Sequence, residues 1–182
     1  MVTLVLDPAL DMALRGAAAV LLATAAWHKL RDPMGFWQAL SGYRLLPQAV
    51  TRTAARLLPL AEISCALALI LFPASPLPIF AALGLWLVYG AAIAINLLRG
   101  RRQVDCGCGG LGADQTLHWG LVVRNGALAA LTALLLLAPS GRPFIWIDAL
   151  TGLSGALVLL LVYASVEHLM RNRTLLRGEA LS

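Results

Sequence analysis

Residues 77–98 read Leu-Pro-Ile-Phe-Ala-Ala-Leu-Gly-Leu-Trp-Leu-Val-Tyr-Gly-Ala-Ala-Ile-Ala-Ile-Asn-Leu-Leu, and Arg99-Gly100-Arg101-Arg102 follows. No charged residue interrupts the run. A hydrocarbon core roughly 30 Å thick is crossed by about 20 apolar residues in a helix. Inside it the backbone must satisfy its own hydrogen bonds, which leaves helices or closed barrels. Apolar and polar residues do not alternate here, which argues against a barrel, and the stretch predicts a transmembrane helix.

Four further stretches resemble it on either side. Ala9–Trp27 ends at His28-Lys29. Ala54–Phe72 ends at Pro73, with Pro76 and Pro78 in the turn that follows. Leu117–Ala138 ends at Pro139-Ser140-Gly141, and Phe144–His168 precedes Arg171 and Arg173. The composition agrees: 60% of residues are hydrophobic and 13% charged, against about 45–50% and roughly 25% in soluble domains. The expected architecture is all-α, a polytopic membrane bundle of five spans forming a single domain over residues 1–182. Asp7 and Asp11 stand where a signal peptide would be basic. The net charge of +5 reads as arginine-rich loops against anionic lipid rather than as a nucleic-acid surface.

Lys29, Arg31, Arg44, Arg52 and Arg56 fall in residues 28–56, at the end of the first span and the start of the second, Arg99, Arg101 and Arg102 after the third, and Arg171, Arg173 and Arg177 after the fifth. Arg15 and Arg142 face them from the other side. The positive-inside rule then predicts the N-terminus outside and the C-terminus inside a bacterial cytoplasmic membrane. Between the first two spans, residues 33–43 are too polar to cross. Asp32 as a cap and Pro33 at the first helical position, with Phe36, Trp37 and Leu40 on one face, predict a short interfacial helix.

Polar residues within the spans mark candidate site positions, because ionisable groups at depth are expensive and face a partner. Glu62 lies inside the second span, Arg124 and Asn125 inside the fourth, and a Glu62–Arg124 ion pair is the simplest expectation. Cys65 shares a helix face with Glu62 and reads as a small buried hydrophobe. Asn96 and Asp148, at span ends, read as interface residues. His118, at the start of the fourth span, reads as solvated, with a ligand role as the minor alternative.

The other two cysteines sit in Asp105-Cys106-Gly107-Cys108-Gly109-Gly110. Glycine tolerates positive φ, and a one-residue spacer lets two sulfurs meet with little slack. Strained, exposed disulfides are the labile ones, and so short a loop adds little stability. Arg101, Arg102 and the start of the fourth helix favour a thiolate, while Asp105 opposes it. A redox pair, a soft-metal site and a structural pair remain as readings. Two sulfurs with Asp105 and His118 make a poor zinc set, whereas Cu(I) accepts fewer ligands. No metal site or cofactor is assigned. A quinone-linked oxidase is one form of the redox reading, without a motif of its own.

The chain resembles the MauE family of methylamine-utilisation membrane proteins, within the broader MauE/DoxX group. The resemblance rests on Trp27-His-Lys-Leu-Arg-Asp32, Tyr43-Arg-Leu-Leu-Pro47, Pro59-Leu-Ala-Glu62, Asp105-Cys-Gly-Cys-Gly-Gly110 and Arg124-Asn125. It covers most of the chain. It departs at Gly109, where members often carry Phe, and Cys65 is not part of the pattern. The resemblance implies an inner-membrane protein of disulfide chemistry, with Cys106 and Cys108 as the redox pair. It also implies a thioredoxin-like partner of the MauD type and a periplasmic client such as the methylamine dehydrogenase small subunit. A metal carrier and a scaffold without chemistry are the rival functions.

Overall fold

The computed structural model describes residues 5–101 and 117–179. Cys106, Cys108 and Asp105 lie outside the described residues. Among the described residues six helices follow a two-residue strand: β1 (Val5–Leu6), α1 (Pro8–Arg31), α2 (Pro33–Gly42), α3 (Gln48–Leu71), α4 (Leu77–Leu98), α5 (Trp119–Ala133) and α6 (Trp146–Glu179). A 3₁₀ turn (Leu134–Leu136) and β2 (Ala138–Pro139) follow α5. Among the described residues five helices are long and apolar enough to cross a membrane, and the chain is a multi-pass membrane protein.

Local chemistry sets the boundaries. Asp7 caps α1 by accepting from Ala9 N at 2.9 Å. Asp32 closes α1 through its own N–H to His28 O, then caps α2 by accepting from Gly35 N at 2.9 Å. One residue thus ends one helix and starts the next, with Pro33 at the first helical position as expected. α3 and α6 depart from the sequence reading. α3 begins at Gln48, ahead of its apolar run, because Thr51, Arg52 and Thr53 continue the helix outside the span. α6 runs 34 residues, about 50 Å at 1.5 Å per residue, so it projects well past a core of roughly 30 Å.

α1 is the central helix and packs against both α3 and α6, while α4 packs against α5. The α1–α6 seam is built from small residues. A Cβ added at Gly155 would stand 3.1 Å from Ala13 Cβ, and one at Gly16 would stand 3.4 Å from Ala156 Cβ. Lipid tails supply no hydrophobic drive between helices, so close backbone approach is what holds such a seam. α4 and α5 meet in the same way, with Gly90 opposite Asn125. Leu22, Leu69, Ala82 and Trp86 lie in the main core; a second cluster joins Tyr43, Ile93, Leu97, Leu117 and Leu121.

At the α1 N-terminal end, β1 pairs in parallel with β2, and Arg142 binds two carboxylates. It reaches Asp7 at 2.9 Å and Asp148 at 2.6 Å. Asp148 also accepts from Ile145 N. Asp148 is therefore no ordinary interface residue but the buried half of a clamp joining the starts of α1 and α6.

Candidate functional site

Toward the opposite end lies a second set of buried charges. α1 and α4 end there and α5 begins there, so Arg101 and Leu117, which flank residues 102–116, belong to that end. Leu117 is fully buried against the α4 terminus.

Glu62 is 0% exposed on α3, a turn beyond the buried Pro59. Its Oε1 accepts from Lys29 Nζ of α1 and, at 2.6 Å, from the Tyr89 hydroxyl of α4. The Lys29 ammonium also lies 4.9 Å from the Tyr89 ring centroid and 5.3 Å from that of Phe36 on α2. One carboxylate oxygen thus ties α1, α3 and α4 together, and α2 lids the cation. Glu62 Oε2 has no partner among the described residues.

Arg124 does not pair with Glu62. Its Nη1 donates to both oxygens of Glu167 on α6, at 2.8 and 3.0 Å, and its guanidinium carbon is 6.0 Å from the Tyr163 ring centroid. The expected Glu62–Arg124 pair is replaced by two pairs side by side, with Arg124 near enough to repel the Lys29 ammonium. The physical reason is reach. Lys29 sits close to the end of α1, but its flexible stem carries the charge inward along apolar surface. It is 5% exposed, not a free loop cation.

Asn125, next to Arg124, is buried and donates to Leu121 O of its own helix at 2.8 Å. Asn96 is fully buried on α4, donating to Ala92 O, with Oδ1 unpartnered among the described residues. Its side chain thus faces the bundle interior. His118 occupies the N-cap position of α5, half-buried, with Nε2 unpartnered among the described residues. Burial first, then Arg124, lowers its pKa below the ordinary 6.5, so the imidazole is neutral at pH 7. Cys65 is 5% exposed and its thiol donates to Pro78 O at 3.5 Å. Pro78 opens α4, whereas residue 102 follows its far end. α4 is 22 residues long, or about 33 Å, so Cys65 sits roughly a membrane thickness from the flank of the Cys-Gly-Cys segment.

The structure thus places Arg124, Asn125 and His118 on or at the start of α5, Glu62 near the middle of α3 against Lys29 and Tyr89, and Cys65 one turn farther along α3 against the start of α4. The sequence reading missed Lys29, Tyr89 and Glu167 as partners. Glu167 was within reach, being an acidic residue inside the predicted fifth span.

The family model for the methylamine utilisation protein MauE matches residues 7–138, a region that includes both cysteines of the Cys-Gly-Cys motif. A methylamine utilization protein MauE of Paracoccus denitrificans is 37% identical over 170 residues, covering 93% of this chain and 91% of the relative. Its counterpart in Paracoccus versutus is 40% identical over 164 residues, 90% of this chain and 88% of the relative. That of Methylorubrum extorquens is 38% identical over 167 residues, 89% and 88% respectively. No solved structure matches the chain. With a bundle of five membrane-crossing helices, a matched region of these bounds and relatives of this similarity end to end, the chain belongs to the MauE family.

Proposed function

We propose that this protein is an accessory of methylamine utilisation that carries out thiol–disulfide exchange in the bacterial cytoplasmic membrane through Cys106 and Cys108. The observation that carries this reading is the pair of thiols one residue apart, in the segment joining α4 to α5. Its described flanks, Arg101 and Leu117, belong to the end of the bundle where α4 ends and α5 begins. Lys29, Glu62 and Tyr89 form one hydrogen-bonded cluster there, and Arg124 pairs with Glu167. The names of the relatives support the pathway.

In the exchange, a partner thiolate attacks one sulfur of the Cys106–Cys108 disulfide and displaces the other. A mixed disulfide forms, and the partner's second thiol resolves it. Two electrons and two protons pass from the partner dithiol to the pair. A thioredoxin-like protein of the MauD type is the partner, and the methylamine dehydrogenase small subunit is the client whose disulfides depend on it. Glu62 and Arg124 act as positioning residues that hold the helices flanking the segment.

The test replaces Cys106→Ser and Cys108→Ser, singly and together, in a strain growing on methylamine. Loss of growth with accumulation of a reduced small subunit supports the reading. Full growth of the double variant refutes it and leaves a scaffold.

A further inference from the structure

Residues 33–61 hold three arginines, Arg44, Arg52 and Arg56, and no carboxylate. The two acids that bracket the stretch are engaged. Asp32 accepts from Gly35 N, and Glu62 is buried against Lys29 and Tyr89. None of the three arginines forms an ion pair among the described residues, and all three are exposed. Arg52 and Arg56 lie one turn apart at the start of α3, so their side chains are neighbours on one face. Helical side chains lean toward the N-terminus of their own helix. That end of α3 extends ahead of its apolar run, so both guanidinium groups are carried toward the level of the lipid headgroups. Arg52 is held there by α2, its guanidinium carbon 5.8 Å from the Trp37 ring centroid. An arginine stacked on an aromatic face keeps its in-plane donors free for a phosphate. Below the pair, the same side of α3 is exposed carbon, from Leu57, Leu60 and Leu67.

We infer that Arg52 and Arg56, with Trp37 behind them, bind the headgroup of one anionic phospholipid, whose acyl chain lies along Leu57, Leu60 and Leu67. Charge selects the ligand. A zwitterionic headgroup brings a cation of its own to a surface already rich in them, whereas a net-negative headgroup supplies the missing counter-charge. The leucines beneath the arginines select a lipid over a soluble anion, which has no tail to lay there. General attraction of basic loops to an anionic leaflet would spread over every exposed arginine and would not single out this pair.

The site also bears on the buried charges. Phe36 and Trp37 are consecutive in α2, and the Lys29 ammonium lies against the Phe36 ring. A lipid bound at Arg52 and Trp37 holds α2 against α3 and keeps the Lys29–Glu62 pair covered. Binding of this lipid does not depend on Cys106 or Cys108.

The full-length chain, delipidated in a neutral detergent, is titrated with phosphatidylglycerol and, separately, with phosphatidylethanolamine of the same tails. Native mass spectrometry counts the lipid retained per chain. One phosphatidylglycerol per chain is expected, bound more tightly than phosphatidylethanolamine by about fivefold for each arginine that meets the anionic charge. Arg52→Gln and Arg56→Gln should each weaken phosphatidylglycerol binding about fivefold and leave phosphatidylethanolamine unaffected. Trp37→Leu should weaken it by less, through loss of the stack alone. Arg99→Gln, which removes an exposed cation at the same end of the bundle, should leave it unchanged. Melting temperature without lipid is the control for folding. Equal affinity for the two lipids, a loss from Arg99→Gln as large as that from Arg52→Gln, or displacement of the lipid by millimolar inorganic phosphate each overturns the inference.

Discussion

Lys29→Met places a neutral side chain of similar length beside Glu62. Glu62 is 0% exposed and keeps only the Tyr89 hydroxyl as partner. Removing one member of a buried ion pair costs about 3–5 kcal/mol, because the remaining charge is uncompensated or must take up a proton. At roughly 2–4 °C per kcal/mol for a chain of this size, the melting temperature of the purified protein should fall by roughly 6–20 °C. Glu62→Gln should cost a similar amount by stranding the ammonium. The double variant Lys29→Met/Glu62→Leu removes both charges, and such replacements are often neutral or stabilising by about 1–4 kcal/mol. The double-mutant cycle is therefore strongly non-additive, with the double variant more stable than either single one. Additive losses would refute the pairing. So would a single loss under about 1 kcal/mol, the range of exposed pairs.

Partner choice is tested by charge reversal. Arg124→Glu/Glu167→Arg should recover stability lost in each single variant, whereas Glu62→Arg/Arg124→Glu should not; thermal melts decide. Gly155→Leu drives a side chain into Ala13 and should destabilise by about 1–3 kcal/mol through overpacking, read by the same melts. Arg142→Ala should lower the melting temperature at low salt and do so less in 1 M salt, because the Arg142–Asp7 contact is solvent-exposed and screened. The lowered pKa of His118 means that the unfolded chain binds its proton first as pH falls. Stability should therefore decline below about pH 6.5, and His118→Asn should flatten that decline in a pH series of melts. The arginine distribution puts Cys106 and Cys108 on the cytoplasmic face. An impermeant maleimide that labels them only in inverted vesicles would rule out direct exchange with a periplasmic partner, and labelling in intact spheroplasts is what the proposed exchange requires.

Helix count was legible because a bilayer imposes a length on apolar runs that few other environments impose. The Leu77–Leu98 span matches the sequence reading residue for residue. α2 was legible because Asp32 and Pro33 carry a local start signal that needs no tertiary context. The pairing of Glu62 was not legible, since it depends on how far a lysine stem reaches inward from the end of α1. Nor was the Arg142 clamp, whose partner Asp7 is 135 residues away in sequence. The length of α6 was hidden for a different reason: beyond the membrane, polar helix-forming residues continue the helix without an apolar signature. The candidate thiols were visible as a motif from sequence, whereas the buried ion pairs emerged only from helix packing.

The most direct measurement is the redox state of Cys106 and Cys108 in growing cells, fixed by acid quenching, alkylation and mass spectrometry of the peptide that contains both. The account predicts a population with the Cys106–Cys108 disulfide that shrinks when the membrane's electron acceptors are withheld and returns when they are restored. Two fully alkylated thiols under every condition would contradict it.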